Sequence, residues 1–143
     1  MIKAQGTGND FIMYADPNGE AAPTQKEIVK VCDRHFGIGA DGLIRVTHPQ
    51  YVDDLDEHTV EALHDAGVEW FMDYRNADGS LAEMCGNGTR ATAQFLVQRG
   101  LISLGENESF KLGTRAGAKR ITHLPDDAEL GSQLFRRSEE RRV

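Results

Sequence analysis

The segment running from about Asn87 to Arg99 sets the tightest limit on how this chain can fold. Its middle, Ala91 to Val97, is small or apolar on nearly every side. A helix of that kind cannot lie on a surface with one face in water; it has to be surrounded by protein. Gly100 supplies the residue that ends it. The rest of the chain must therefore wrap this helix, and the segments available to do so read mostly as strands. Ile2 to Ala4, Phe11 to Tyr14, Leu43 to Thr47, Glu69 to Tyr74, Phe110 to Leu112 and Ala118 to His123 are short, apolar and rich in β-branched or aromatic residues, with turn residues between them. The expectation is an α+β domain in which a curved, mixed sheet encloses a central helix.

Other elements are legible locally. Thr24 and Glu27 form a T-x-x-E capping box, so a second helix starts there; Ile28, Val31 and Cys32 share its apolar face, and it is expected to end near His35. Asn76-Ala77-Asp78-Gly79 is a hairpin turn leading into a short strand, Leu81 to Met84. The stretch from Asp53 to Glu69 holds seven acidic residues and no Lys or Arg. Its apolar positions are sparse, and it reads as a solvated insertion with one helical stretch around Val60 to Ala66. After Pro125 no period is visible, which gives a domain over residues 1–124 and a charged, poorly packed tail over 125–143.

With 143 residues the chain can bury a core without metal or disulfide staples. A net charge of −7 argues against generic nucleic-acid binding. Four arginines in the tail are interrupted by Glu139 and Glu140, with no aromatic platform among them. No apolar run is long enough to span a bilayer, and MIKAQGTGND has no signal-peptide core, so a cytoplasmic protein that does not engage membranes is expected. Cys32 and Cys85 are far apart and read as free thiols. Cys32-x-x-His35 has no second close Cys/His pair to complete a zinc site, and no metal is expected.

The chemistry concentrates in Asn76-Ala-Asp-Gly-Ser-Leu-Ala-Glu-Met-Cys85-Gly86-Asn87-Gly88-Thr89-Arg90. Cys85 stands where a strand gives way to a helix. The first amides of a helix have no partner within it and favour an anion. The helix dipole lowers the pKa of a thiol placed there. One turn of chain thus offers a proton-transferring thiol beside a carboxylate cradle, a pairing suited to removing the α-proton of an amino acid. A cysteine taken alone is more often a buried structural residue. Gly86-x-Gly88-x-x-Ala91, with Glu106 or Glu108 downstream, also fits a nucleotide-binding βαβ unit. Such a loop has no need of Cys85, and its strand would be a hairpin arm. Gly37-x-Gly39-x-x-Gly42 has the reverse context, helix before and strand after.

The segments GTGNDF (6–11), CDRHFGIGADGL (32–43), YRNADGSLAEMCGNGTR (74–90) and GTRAGAK (113–119) together resemble the diaminopimelate epimerase family, in the family's order, from Met1 to about Leu124. The resemblance implies interconversion of LL- and meso-diaminopimelate in lysine synthesis without pyridoxal phosphate, metal or other cofactor. Two cysteines, one from each of two similar domains, would face the α-carbon from opposite sides. It assigns Cys85 as one of them, Asn9 and Asn76 as substrate-binding side chains, and Gly86 and Asn87 as backbone ligands of the α-carboxylate. Gly42 stands where some members carry a glutamine that touches substrate. No motif of a second domain occurs after Leu124, and Cys32, on an apolar helix face, is no substitute for the partner cysteine. The chain then reads as one of two pseudo-symmetric domains, completed by a second domain or a homodimer partner. Left alone, it is expected to self-associate through bare apolar surface. A half-domain that binds a carboxylate ligand without turnover is the alternative.

Overall fold

The computed structural model describes residues 1–6, 9–82, 86–127 and 132–139. Among the described residues seven strands form one mixed sheet in chain order: β1 (Ile2–Gly6), β2 (Asn9–Asp16), β3 (Gly42–Thr47), β4 (Trp70–Asn76), β5 (Ser109–Thr114), β6 (Gly117–Asp127) and β7 (Ser132–Glu139). The pairs β2–β3 and β4–β5 are parallel and the other four antiparallel. Three α-helices interrupt them: α1 (Gln25–Cys32) before β3, α2 (Glu57–Asp65) before β4 and α3 (Gly86–Gln98) before β5.

α3 lies against both edge strands, β1 and β7, and against β2, β3 and β4 between them. The sheet therefore curves around the helix, although the helix is not enclosed on every side as its apolar middle suggests. Residues 88, 89, 91, 92, 93, 95 and 96 are buried, and at 100° per residue they span about 200° of the circumference; on the remaining arc Gln94 and Val97 are half-buried and Arg90 and Gln98 exposed. The two threonines among the buried residues satisfy their hydroxyls inside the helix: Thr89 Oγ1 donates to Gly86 O (2.8 Å) and Thr92 Oγ1 to Gly88 O (2.8 Å). Around α3 the main core gathers Phe11 and Met13 of β2, Ile44 and Val46 of β3, Trp70 and Met72 of β4, Leu112 and Ile121.

Strand alternation sends the intervening residues to the other face. There Ile12 and Leu43 pack under Ile28 and Cys32 of α1, while Phe71 packs with Val52, Leu63 and Val68 around α2. β3 is buried at every position because both its faces are covered. The acidic segment is thus anchored: Asp56 caps α2 by accepting from Thr59 N (2.7 Å), and Leu63 is buried. The helix begins three residues earlier than the apolar spacing suggests, at the residue after that cap.

Three local expectations shift. α1 keeps its capping box at Thr24 but ends at Cys32 rather than His35, because the Asp33 carboxylate accepts from His35 N (2.7 Å) and Phe36 N (2.9 Å) and turns the chain. The arm after the 76–80 turn makes a single bridge, Leu81 with Arg75; Glu83 and Met84 lie outside the described residues. Where a poorly packed tail was expected, β6 continues to Asp127 and Ser132–Glu139 pairs with it as β7.

Candidate functional site

β2 and β3 are parallel and β3 and β4 antiparallel, so the start of β2, the start of β3 and the end of β4 share one end of the sheet. Phe11, Gly42 and Asn76 lie side by side there. Asn9 precedes Phe11 by two residues and opposes Gly6 of β1. The fold thus brings both candidate asparagines to one edge, Asn9 half-buried and Asn76 exposed. Asn76 is oriented by its own turn: its N donates to Ser80 O (2.9 Å), its Nδ2 to Ser80 Oγ (3.0 Å), and its O accepts from Gly79 N (2.8 Å).

Beyond that turn the chain runs back along β4, with Ala82 N donating to Tyr74 O (3.2 Å). α3 then opens at Gly86. Four residue steps limit the separation of Gly86 from Ala82 to about 14 Å. Gly86 and Asn87 are half-buried, and Asn87 Oδ1 accepts from Arg90 Nη1 (3.2 Å). Cys85, the candidate proton carrier, lies outside the described residues. Gly42 has no room for a side chain as placed: a Cβ there would stand 2.6 Å from Arg75 O and 2.7 Å from Tyr74 Cε1.

Charged groups crowd this end. Asp10 is paired with Arg34 (3.0 Å) and Lys3 (3.3 Å), and Asp41 with Arg34 (3.2 Å). The Arg34 guanidinium, helped by donors from Asp41 and Lys3, holds the Asp10 carboxyl well below the usual carboxylate range. Cys32 is 4% exposed, within the apolar cluster under α1, and burial raises its thiol above the ordinary value. It has the surroundings of a core residue.

Sequence reading missed a second charged network, on the face of the sheet away from α3. Arg45 is 2% exposed and donates to Asp16 Oδ2 (2.8 Å), Asp73 Oδ2 (3.0 Å) and Tyr51 O (3.0 Å). Asp73 also accepts from Arg115 (2.7 Å) and Arg75 (3.2 Å), and Arg115 reaches Asp54 through two bonds of 2.7 and 2.8 Å. The network ties the acidic segment, through Asp54, to β4 and to the β5–β6 turn. Arg115 falls inside the GTRAGAK segment, and Arg45 in an otherwise apolar strand was the one available signal.

A separate cleft of about 710 Å3 opens between α2 and the end of β3, lined by His48, Glu61, His64, Asp65 and Glu69 among others. None of Asn9, Asn76, Gly86 and Asn87 lines it. Among the described residues no group of three or more His, Cys, Asp or Glu could hold a metal ion. No helix among them is long and apolar enough to cross a membrane. β4, α3 and β5 do form a βαβ crossover, but residues 77–85 separate Gly86 from the tip of β4, unlike a dinucleotide loop.

Fold and site define a mixed α+β domain with two candidate asparagines at one end of its sheet. A family model described as diaminopimelate epimerase matches residues 1–135. A diaminopimelate epimerase of Thermobifida fusca (strain YX) is 46% identical over 124 residues, covering 87% of this chain and 43% of the relative. The corresponding protein of Corynebacterium glutamicum (strain R) is 46% identical over 125 residues, with 87% and 41% covered. That of Mycolicibacterium paratuberculosis is 42% identical over 128 residues, with 88% and 42% covered. The chain belongs to the diaminopimelate epimerase family, and it spans about two fifths of the length of these relatives.

Proposed function

We propose that this chain supplies one side of a cofactor-independent diaminopimelate epimerase site, acting in lysine synthesis on LL- and meso-diaminopimelate. The observation that carries the reading is that Asn9 and Asn76 lie at one sheet end, in a chain of this family whose helix α3 begins directly after Cys85 in sequence. Asn9 and Asn76 bind polar groups of the substrate. The amides of Gly86 and Asn87, at the positive end of α3, hold its α-carboxylate.

The thiolate of Cys85 takes the α-proton and becomes a thiol. The electron pair left on the α-carbon delocalises into the α-carboxylate as an enediolate, where helix-end donors stabilise the developing charge. A second thiol on the opposite face returns a proton to that carbon, inverts it and is left as thiolate. That thiol comes from a second, similarly folded domain, of the same polypeptide or of another. The small-molecule substrate needs neither metal nor pyridoxal phosphate in this scheme.

α-Proton exchange of LL-diaminopimelate in deuterated buffer, under reducing conditions and with Cys85→Ala as control, tests it. Deuterium incorporation that Cys85→Ala abolishes supports the role of Cys85, and meso product identifies a complete two-base site. Exchange that persists in Cys85→Ala contradicts the assignment. If the folded chain gives no exchange alone or with the C-terminal portion of a longer relative added, the epimerase reading fails.

A further inference from the structure

Asn9 is the first residue of β2 and Asn76 the last of β4, with β3 between them. Beyond the strand ladder, Asp41 links the two. Its N donates to the carbonyl of Asp10 (3.0 Å) and to Asp10 Oδ1 (3.1 Å). Its Oδ2 accepts from Asp10 N (3.0 Å). Its own carbonyl accepts from Ala77 N (3.1 Å). Asp10 follows Asn9 and Ala77 follows Asn76, so one residue is bonded to the chain neighbour of each. Asp41 can reach both because it immediately precedes Gly42, the first residue of the strand flanked by β2 and β4.

The arrangement brings two carboxylates together, which alone would push the two segments apart. Arg34 offsets that repulsion: Nη1 and Nη2 donate to Asp10 Oδ2 (3.3 Å) and Oδ1 (3.0 Å), and Nη2 also to Asp41 Oδ1 (3.2 Å). A planar guanidinium can span two carboxylates in this way, whereas an ammonium is a point charge without the fork. Arg34 is itself placed by the chain reversal that follows α1 at Asp33.

We propose that Asp10, Asp41 and Arg34 form a clasp that positions Asn9 against Asn76, making all three positioning residues for the substrate. The inference rests on the reading of this sheet end as a diaminopimelate site, but the clasp can be tested without turnover. The test compares the full chain with its Arg34→Met and Arg34→Lys variants by NMR. One arm follows hydrogen exchange of the Asp10, Asp41 and Ala77 amides, with Ile44 and Met72 as sheet references. The other follows the side-chain amide signals of Asn9 and Asn76 during titration with LL-diaminopimelate.

Arg34→Met is expected to speed exchange at the three clasp amides by about tenfold, leaving the references unchanged. It is also expected to weaken binding by about tenfold through misplacement of the asparagines. Arg34→Lys, which keeps the charge and loses the fork, recovers only part of each. Unchanged exchange and affinity in Arg34→Met would overturn the clasp. So would full recovery in Arg34→Lys, because attraction of the substrate's carboxylates by charge alone would then suffice. Should Arg34→Met also lose protection at Ile44 and Met72, the lysine variant decides between fork and charge. If the unaltered chain does not bind diaminopimelate, the substrate reading falls, and the exchange arm alone decides whether the clasp exists.

Discussion

Two networks of arginine and aspartate flank the same three strands, and they differ mainly in their access to water. Arg45 and its partners Asp16 and Asp73 are at most 4% exposed, whereas the Arg34 side chain at the sheet end is 55% exposed. In a dry setting an uncompensated charge is expensive, so the Arg45 network is a condition of folding. In a wet one an ion pair adds little stability, so the Arg34 clasp is free to serve geometry. The same side-chain chemistry therefore holds the domain together on one face and sets the spacing of candidate ligands at the other end.

The contrast is broken most directly at Arg45. Arg45→Met keeps much of the side-chain volume but leaves Asp16 and Asp73 short of a buried partner. Loss of about 3–5 kcal/mol in denaturant unfolding is expected; a loss too small to measure would show that this network is dispensable. Gly42→Gln attacks the sheet end instead. Its side chain must displace the Arg75 backbone or the Tyr74 ring, at a cost of about 1–3 kcal/mol in denaturant unfolding. Asp54→Ala removes the outer end of the buried network, where the side chain is 31% exposed, and should cost about 1 kcal/mol. Arg34→Met, at the wet extreme, should leave the thermal midpoint nearly unchanged while it weakens binding.

Acid sharpens the comparison further. Burial alone would raise the Asp16 carboxyl, but bonds from Arg45 and from the Ala21 and Glu20 amides hold it below its ordinary value of 3.8. Asp54 is lowered chiefly by Arg115 and Asp10 chiefly by Arg34. A depressed folded pKa contributes stability that is complete above the unfolded value and disappears as pH falls through the folded one. Thermal midpoints should therefore stay level down to about pH 5 and drop below about pH 4. Arg45→Met should flatten that drop by removing the cause of the Asp16 shift, and an unaltered acid profile in this variant would contradict the assignment.

How much of this was legible follows from how local each cause is. The central helix declared itself through Ala91 to Val97, and the capping box at Thr24 through four adjacent residues. The convergence of Asn9 and Asn76 came through resemblance; nothing in their spacing places residues 67 positions apart at one sheet end. β7 was missed because its register is imposed by β6, a partner whose pairing leaves no period in the charged segment itself. The partners of Arg45 come from positions 16, 51 and 73, and no window along the chain contains them. Asp10, Arg34 and Asp41 lay inside the quoted segments, yet their joint role depends on β2, β3 and β4 meeting at one end.

The most direct test of the central claim is a map of where diaminopimelate binds, read from backbone and side-chain NMR shifts of the full chain under reducing conditions. Shifts confined to Asn9, Asn76, Gly86, Asn87 and their neighbours, with the signals of Arg45 and of the His48–His64 cleft unmoved, are predicted. Shifts centred on that cleft, or none at the sheet end at saturating ligand, would contradict it.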